Sequence, residues 1–198
     1  ETHAIISNHL ATAVAALTRW TAPGAAAADA RAAQLLEIIL ANQSHEGWYS
    51  EYGAADPGYE TLGIYYLADV HLRRPDLGLA GSLSRSLEFL TYCAHPDGSF
   101  GGLYGARNTR FIVPGGLEAL AAEMPAAAAL ARFARNSIAA PRVVTLVAID
   151  DPNLAPIFNA YCQAAGVLAN TAEPVVSESA VRDLPCERTD PFRRDYLD

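Results

Sequence analysis

Two stretches of this chain decide its fold: QSHEGWYSEYGAADPGYE at 43–60 and HPDGSFGGLYGARNTRF at 95–111. Both are rich in glycine and aromatic residues, and they align at an offset of about fifty residues. The aligned residues are Gly47-Trp48 with Gly98-Ser99-Phe100 and Glu51-Tyr52-Gly53 with Leu103-Tyr104-Gly105. A repeat of this length, made of two helices and a loop, is typical of stacked or circularly closed helical hairpins.

The segments on either side of these loops have the spacing of helices, with apolar residues three or four positions apart. The predicted helices cover 5–20, 29–42, 61–74, 82–94, 117–123, 126–139 and 154–170. About one residue in five is alanine, which has the best intrinsic helix propensity. Strand-forming residues are concentrated only near 143–149, where a short β-prone segment is predicted.

The sequence therefore predicts an all-α fold in which helical hairpins form a complete or incomplete α/α toroid. We expect this toroid domain to cover 1–172. The mixture of proline, serine, arginine and aspartate in 173–198 predicts a loop-rich segment that leads towards a further domain. A chain of 198 residues is long enough for one sizeable core and does not require two.

Charge and hydropathy exclude two classes of partner. The formal net charge is −8 and there is no lysine, so the surface repels polyphosphate and nucleic acid is not an expected partner. An acidic sugar polymer would need local arginine to overcome the same repulsion. No apolar run reaches the roughly 20 residues that a membrane-spanning helix needs. Residues 1–20 also lack the basic start of a signal peptide.

The cysteines and histidines do not have the spacing of a metal site. The three cysteines are too far apart for a disulfide framework or a metal knuckle, which predicts buried free thiols; they are Cys93, Cys162 and Cys186. His45, His71 and His95 show no paired zinc-binding spacing. We therefore predict no metal and no cofactor, with a calcium ion at Asp56 or Asp97 as the alternative. Asp150-Asp151 is interpreted as the start of a helix.

A family resemblance rests on SNHLA at 7–11, followed about forty residues later by GWYSEYGAADPGYETL at 47–62. Together these motifs resemble the toroid polysaccharide lyases of the heparinase and alginate lyase type. In those enzymes an Asn-His pair on one toroid helix faces a catalytic tyrosine just after a glycine and aromatic loop. The matching positions here are Asn8, His9 and Tyr59. The resemblance covers about the first 120 residues, and the further β-rich domain of those enzymes is not visible in this sequence.

The resemblance implies β-elimination at a uronic acid, with an acidic polysaccharide or oligosaccharide as the partner. This reaction needs donors that bind the substrate carboxylate, a role that fits Asn8, Arg107 and Asn108. It also needs a base and an acid, which Tyr59 and His9 would share. Because a tyrosine hydroxyl is a weak base at neutral pH, a nearby cation would have to stabilise its anion.

The remaining candidates are aromatic and polar loop residues that would bind substrate. They are Trp48, Glu51, Tyr52, Tyr104, Asn108 and Arg110. Each candidate also has a purely structural interpretation. His9 would cap or pack against a helix, Tyr59 would anchor the start of one, Arg107 and Arg110 would pair with loop carboxylates, and the aromatic residues would pack the loops.

Two other functions remain open. PDGSFGG at 96–102 also resembles the repeat loop of terpene cyclases and protein prenyltransferase β subunits. The sequence lacks the DxDD acid string of such a cyclase, although Cys93 and His95 offer two types of zinc ligand. The other function is a non-catalytic toroid that binds glycan in polysaccharide biosynthesis. Unpaired thiols and the missing signal peptide favour the cytoplasm, whereas a trimmed N-terminus would allow a periplasmic or secreted protein.

Overall fold

The part of the chain that the structure describes, residues 5–170 and Leu184, is helical in this computed structural model. Within it, seven α-helices and a short 3-10 turn occur, together with isolated β-bridges but no strand. The helices are α1 (Ser7–Leu17), α2 (Ala25–Ala41), α3 (Pro57–Arg73), α4 (Ala80–Thr91), α5 (Pro114–Leu120), α6 (Pro125–Ala139) and α7 (Asp151–Asn170), with the 3-10 turn at Pro75–Leu77. The all-α prediction is confirmed for these residues. The predicted boundary at 172 and the segment 173–198 lie outside the described residues, apart from Leu184.

Helix α3 begins one turn earlier than the sequence predicts. Pro57 occupies its first turn, where a missing N–H is no loss, and Asp56 caps the helix by accepting from the backbone N–H of Tyr59 at 3.1 Å. The prediction treated the Pro-Gly pair as loop and started the helix after it. Tyr59 therefore lies in the first turn of α3 and not in the preceding loop.

The β-prone segment 143–149 does not form a strand. Its backbone pairs at one point with the loop before α5, where Val144 N–H donates to Arg110 O at 2.8 Å. It then makes a turn in which Ala148 N–H donates to Thr145 O at 2.9 Å, and Val147 is 97% exposed at its tip. Without a neighbouring strand, its β-branched residues cannot form a ladder, so local propensity does not decide the structure here.

The helices pack in two rows. Helix α1 packs against α3, α3 against α5, and α5 against α7, so the odd-numbered helices form one row. Helix α2 packs against α1, α4 against α3, and α6 against α5. Helix α4 also packs against α6, so the even-numbered helices form a second row on the first. No described helix is both long enough and apolar enough to cross a membrane.

The core between the rows is apolar and continuous. Leu83, Leu87 and Leu90 of α4 are spaced four and three residues apart and are fully buried, as is Phe100 of the second loop. Burial of each such side chain contributes about 1.5–3 kcal/mol relative to exposure. The glycine and aromatic loops thus contribute to the core as well as connecting helices.

The internal repeat is present in the backbone hydrogen bonds of the two loops. A bridge joins Gln43 and Tyr49 in the first loop and another joins Ala94 and Phe100 in the second, at an offset of 51 residues. At the tip of the first loop, Gly47 has φ +109°, and a Cβ atom there would lie 2.2 Å from the backbone oxygen of Arg85. Only glycine fits this position, which explains why glycine begins each repeat motif. The predicted repeat is confirmed.

Starts of the odd-numbered helices meet at one end of the fold. Ser7 N–H at the start of α1 donates to Ser50 O at 3.1 Å, and the adjacent Tyr49 N–H donates to Glu60 Oε1 in the first turn of α3 at 3.3 Å. Asn153 in the first turn of α7 in turn reaches Tyr59 of α3. The loops that follow the even-numbered helices lie at this end, where candidate residues from separate parts of the chain can meet.

Candidate functional site

A cavity of about 390 Å³ opens at this end of the fold, between the starts of α3 and α7. Here it is called the Tyr59 pocket, and its wall includes Tyr59, Arg107, Asn108, Arg110 and Asp150. The first four of these are residues that the sequence predicted for the site. They come from the first turn of α3 and from the second glycine and aromatic loop, which the fold brings together.

The Tyr59 hydroxyl is held by a neighbour that the sequence did not predict. Asn153 Nδ2 donates to the Tyr59 hydroxyl oxygen at 3.0 Å, and the same nitrogen lies 2.9 Å from Asp150 Oδ1. The Tyr59 ring packs edge-on against Phe111, with the ring centroids 5.3 Å apart. The ring is therefore fixed, and its hydroxyl oxygen accepts from a buried amide.

The Arg107 guanidinium lies over two tyrosine rings. Its central carbon is 4.5 Å from the centroid of Tyr59 and 5.2 Å from that of Tyr52. Its Nη1 also donates to the Tyr52 hydroxyl at 3.3 Å. This guanidinium also lies in the wall of the Tyr59 pocket.

Asp56 holds both Tyr59 and Arg107 in place through hydrogen bonds. Besides capping Tyr59, its buried carboxylate accepts from the backbone N–H of Arg107 at 2.8 Å and from the Thr109 hydroxyl. Asp56 thus joins the first turn of α3 to the second loop. Both of its oxygens are occupied by donors, so the carboxylate serves as a structural anchor and does not have the free oxygens of a calcium ligand.

Asn8 and His9, the predicted Asn-His pair, do not line the Tyr59 pocket. Asn8 is buried, and its backbone N–H and Nδ2 donate to the two carboxylate oxygens of Glu51 at 2.8 and 2.7 Å. His9 is exposed on the surface of α1. Consecutive helix residues point in different directions, so burial of Asn8 turns His9 outward. Asn8 does pack near Gly63, which is one turn along α3 from Tyr59.

The other predicted binding residues divide into packing residues and one site residue. Trp48 is buried, and Tyr104 is half-buried with its hydroxyl 2.9 Å from His95 Nε2. Glu51 is also buried, so it is out of reach of a ligand. Tyr52 is exposed, and its hydroxyl accepts from Arg107, which lies in the pocket wall.

The cysteine and histidine pair of the second repeat does not have the geometry of a zinc site. His95 Nδ1 lies 2.8 Å from Ser99 Oγ, so both ring nitrogens have partners within the protein. Cys93 is buried, and burial raises the pKa of its thiol. Cys162 is exposed, so the prediction of buried thiols is correct for Cys93 and wrong for Cys162, while Cys186 lies outside the described residues. No group of three metal-ligating side chains occurs among the described residues.

Glu51 carries a perturbed carboxyl group beneath the site. Burial raises its pKa from 4.5 to about 7, against the opposite effect of the two Asn8 donors. The nearby Asp56 carboxylate raises this pKa further and the Arg107 cation lowers it. The Glu51 carboxyl is therefore partly protonated at neutral pH, and its ionisation is linked to folding.

The stability of the protein should fall as the pH rises through this range. Below pH 4.5 the Glu51 carboxyl is protonated in both states. Between that pH and about 7 the unfolded chain ionises first, and the folded state loses up to about 3 kcal/mol. Urea unfolding measured across this range should show a smaller fall for Glu51→Gln than for the wild type. The exposed Glu37→Gln variant should follow the wild type, and equal pH dependence in all three proteins would contradict the assignment.

The structure thus gathers Tyr59, Arg107, Asn108 and Arg110 in one pocket and adds Asn153. Comparisons of the chain with models of protein families, with curated proteins and with solved structures found no match. The function of this pocket therefore has to follow from its geometry.

Proposed function

We propose that the protein is a polysaccharide lyase that cleaves an acidic, uronic acid-containing polysaccharide by β-elimination, with Tyr59 as the proton-transfer group. The observation that carries this proposal is the setting of Tyr59 in the pocket wall, where its hydroxyl accepts from Asn153 Nδ2 and its ring lies under the Arg107 guanidinium. In the proposed reaction these two neighbours hold Tyr59 in position while its oxygen exchanges a proton with the sugar.

The proposed reaction is a proton transfer coupled to loss of a sugar oxygen. The Tyr59 oxygen takes the C5 proton of the uronic acid, and the C5–H electron pair forms the C4=C5 double bond. The C4–O4 bond breaks, and O4 leaves as a hydroxyl after receiving the proton that Tyr59 has just accepted. One residue thus acts first as base and then as acid, which removes the need for His9 in the pocket.

The charges in the pocket suit a carboxylate substrate. Arg107 and Arg110 contribute two cations and Asp150 one anion to the wall. An arginine guanidinium binds a carboxylate through two parallel hydrogen bonds and stabilises the charge that develops beside it during proton removal. This local excess of positive charge offsets the overall net charge of −8 for an acidic ligand.

We also propose that the two helix rows belong to an α/α toroid, complete or incomplete. A crevice of about 530 Å³ is lined by Thr12 of α1, Tyr66 of α3 and Gln163 of α7. Helices from both sides of α3 thus contribute to one concave face, which supports a curved row. A curved inner row is what a toroid requires.

A non-catalytic glycan-binding protein is the second candidate, and a specific observation favours it. Asn8 is tied to Glu51 and His9 is exposed on α1, so neither supports chemistry in the Tyr59 pocket. Such a protein would retain the cationic pocket and bind the same acidic sugars without turnover.

A screen of acidic polysaccharides tests the proposed function. We expect at least one of alginate, heparan sulfate, chondroitin sulfate or polyglucuronate to give the ultraviolet absorbance of a C4=C5 unsaturated uronic acid. Saturated sugars do not absorb there, so the neutral polymer dextran provides the blank. Binding of one of these polymers without any absorbance would favour the second candidate and contradict the lyase.

A further inference from the structure

A second and larger cavity adjoins the Tyr59 pocket. It measures about 780 Å³, and it is called here the Arg142 pocket after the arginine in its wall. The two cavities share Arg110, Val144 and Ala148, so they are separated by one layer of side chains. Val144 N–H donates to Arg110 O at 2.8 Å, which holds together the two loops that form this shared wall.

Arg110 and Arg142 differ from most arginines in the described part of the chain. Neither guanidinium has an ion-pair or hydrogen-bond partner among residues 5–170. By contrast, Arg19 and Arg73 both form salt bridges with Asp69, at 2.5 and 2.6 Å. Arginines of a cavity wall whose guanidinium groups form no ion pair or hydrogen bond are available to bind an anionic ligand.

The rest of the Arg142 pocket suits a sugar. Asp97 lies in its wall, held by the Ser99 backbone N–H at 2.9 Å and the Ser99 hydroxyl at 2.7 Å. These donors lower the pKa of Asp97, so it is a charged acceptor for sugar hydroxyls. The exposed Val147 offers an apolar surface to the C–H face of a sugar ring. The pocket thus combines a cation, an acceptor for sugar hydroxyls and an apolar surface, which are the three groups that bind an acidic sugar.

We infer that the two pockets form one cleft, in which Arg142 binds the carboxylate of a second uronic acid along the chain from the sugar at Tyr59. Arg110, which lines both pockets, lies between the two carboxylate positions. This inference rests on the proposed function for its substrate class. It adds that the protein selects oligosaccharides long enough to fill both pockets over disaccharides.

Binding measurements with sugars of two lengths test the cleft. The probes are disaccharides and hexasaccharides prepared from alginate, heparan sulfate, chondroitin sulfate and polyglucuronate, and the readouts are calorimetric affinity and ultraviolet turnover. We expect a hexasaccharide to bind more tightly than its disaccharide. Arg142→Gln should weaken hexasaccharide binding about tenfold, because one charge-assisted carboxylate contact is lost, and leave binding of the heparan and chondroitin sulfate disaccharides, which carry one uronic acid each, unchanged. Arg31→Gln, which removes an exposed charge on α2, should behave as the wild type.

The outcomes separate this inference from the lyase proposal. Turnover with no dependence on sugar length or on Arg142 overturns the cleft and leaves the lyase standing. Binding that depends on length and on Arg142, but without turnover, supports the cleft and overturns the lyase. If no hexasaccharide binds, the cleft is overturned as well.

Discussion

Replacing Tyr59 with phenylalanine is expected to lower kcat for cleavage of an acidic polysaccharide about a thousandfold, because a positioned acid–base group contributes about 10²–10⁴-fold. The ring contacts with Phe111 and Arg107 do not involve the hydroxyl, so the variant keeps the shape and charge of the pocket. Polymer binding should therefore stay close to that of the wild type. Initial rates of ultraviolet absorbance and calorimetric titration together measure these two effects.

A matched control for this variant lies on the same helix. Tyr66→Phe removes a hydroxyl from α3 but not from the Tyr59 pocket, and its kcat should remain near the wild-type value. If both variants lost activity equally, the loss would reflect a disturbance of α3. If Tyr59→Phe kept more than about a tenth of the wild-type kcat, Tyr59 would not be the proton-transfer group.

Replacing Asp56 with alanine is expected to lower the free energy of unfolding by about 4 kcal/mol. Loss of a helix cap costs about 1–2 kcal/mol, and each buried donor left without a partner adds about 1–3 kcal/mol. Asp56 is fully buried, caps α3 at Tyr59 and accepts from Arg107 N–H and the Thr109 hydroxyl. Urea unfolding followed by circular dichroism measures the change.

The control for this variant is an exposed aspartate. Asp76 pairs with Arg74 at the surface, and Asp76→Ala should leave the unfolding free energy close to the wild-type value. Asp56→Asn should lie between the two, because it keeps one oxygen for the cap. A value for Asp56→Ala similar to that for Asp76→Ala would contradict the assigned anchor.

The sequence predicts the helices well because their apolar spacing is local information. All seven predicted helices occur within the described residues, and both loop tips repeat at the predicted positions. The sequence predicts the start of α3 one turn too late, because Pro57 and Gly58 are usual in loops as well as in a first helical turn. The β-branched residues of 143–149 predict a strand, but a strand forms only where a neighbouring strand supplies the hydrogen bonds.

The site is less predictable because it depends on contacts between distant parts of the chain. Tyr59, Arg107, Asn108 and Arg110 meet because loops at one end of the fold converge, as the repeat indicated. Asn153 was missed, since its meeting with Tyr59 is a contact across 94 positions of the chain. The roles predicted for Asn8 and His9 depend on which way α1 turns these two side chains, and that orientation is set by packing against the rest of the fold.

The most direct test of the central claim is a crystal structure of the Tyr59→Phe variant with an acidic hexasaccharide bound. We expect a uronic acid in the Tyr59 pocket, with its carboxylate on Arg107 or Arg110 and its C5 facing the position of the missing hydroxyl. The next acidic sugar should lie near Arg142. Sugar density confined to the crevice between α1 and α3, with the Tyr59 pocket empty, would contradict the account.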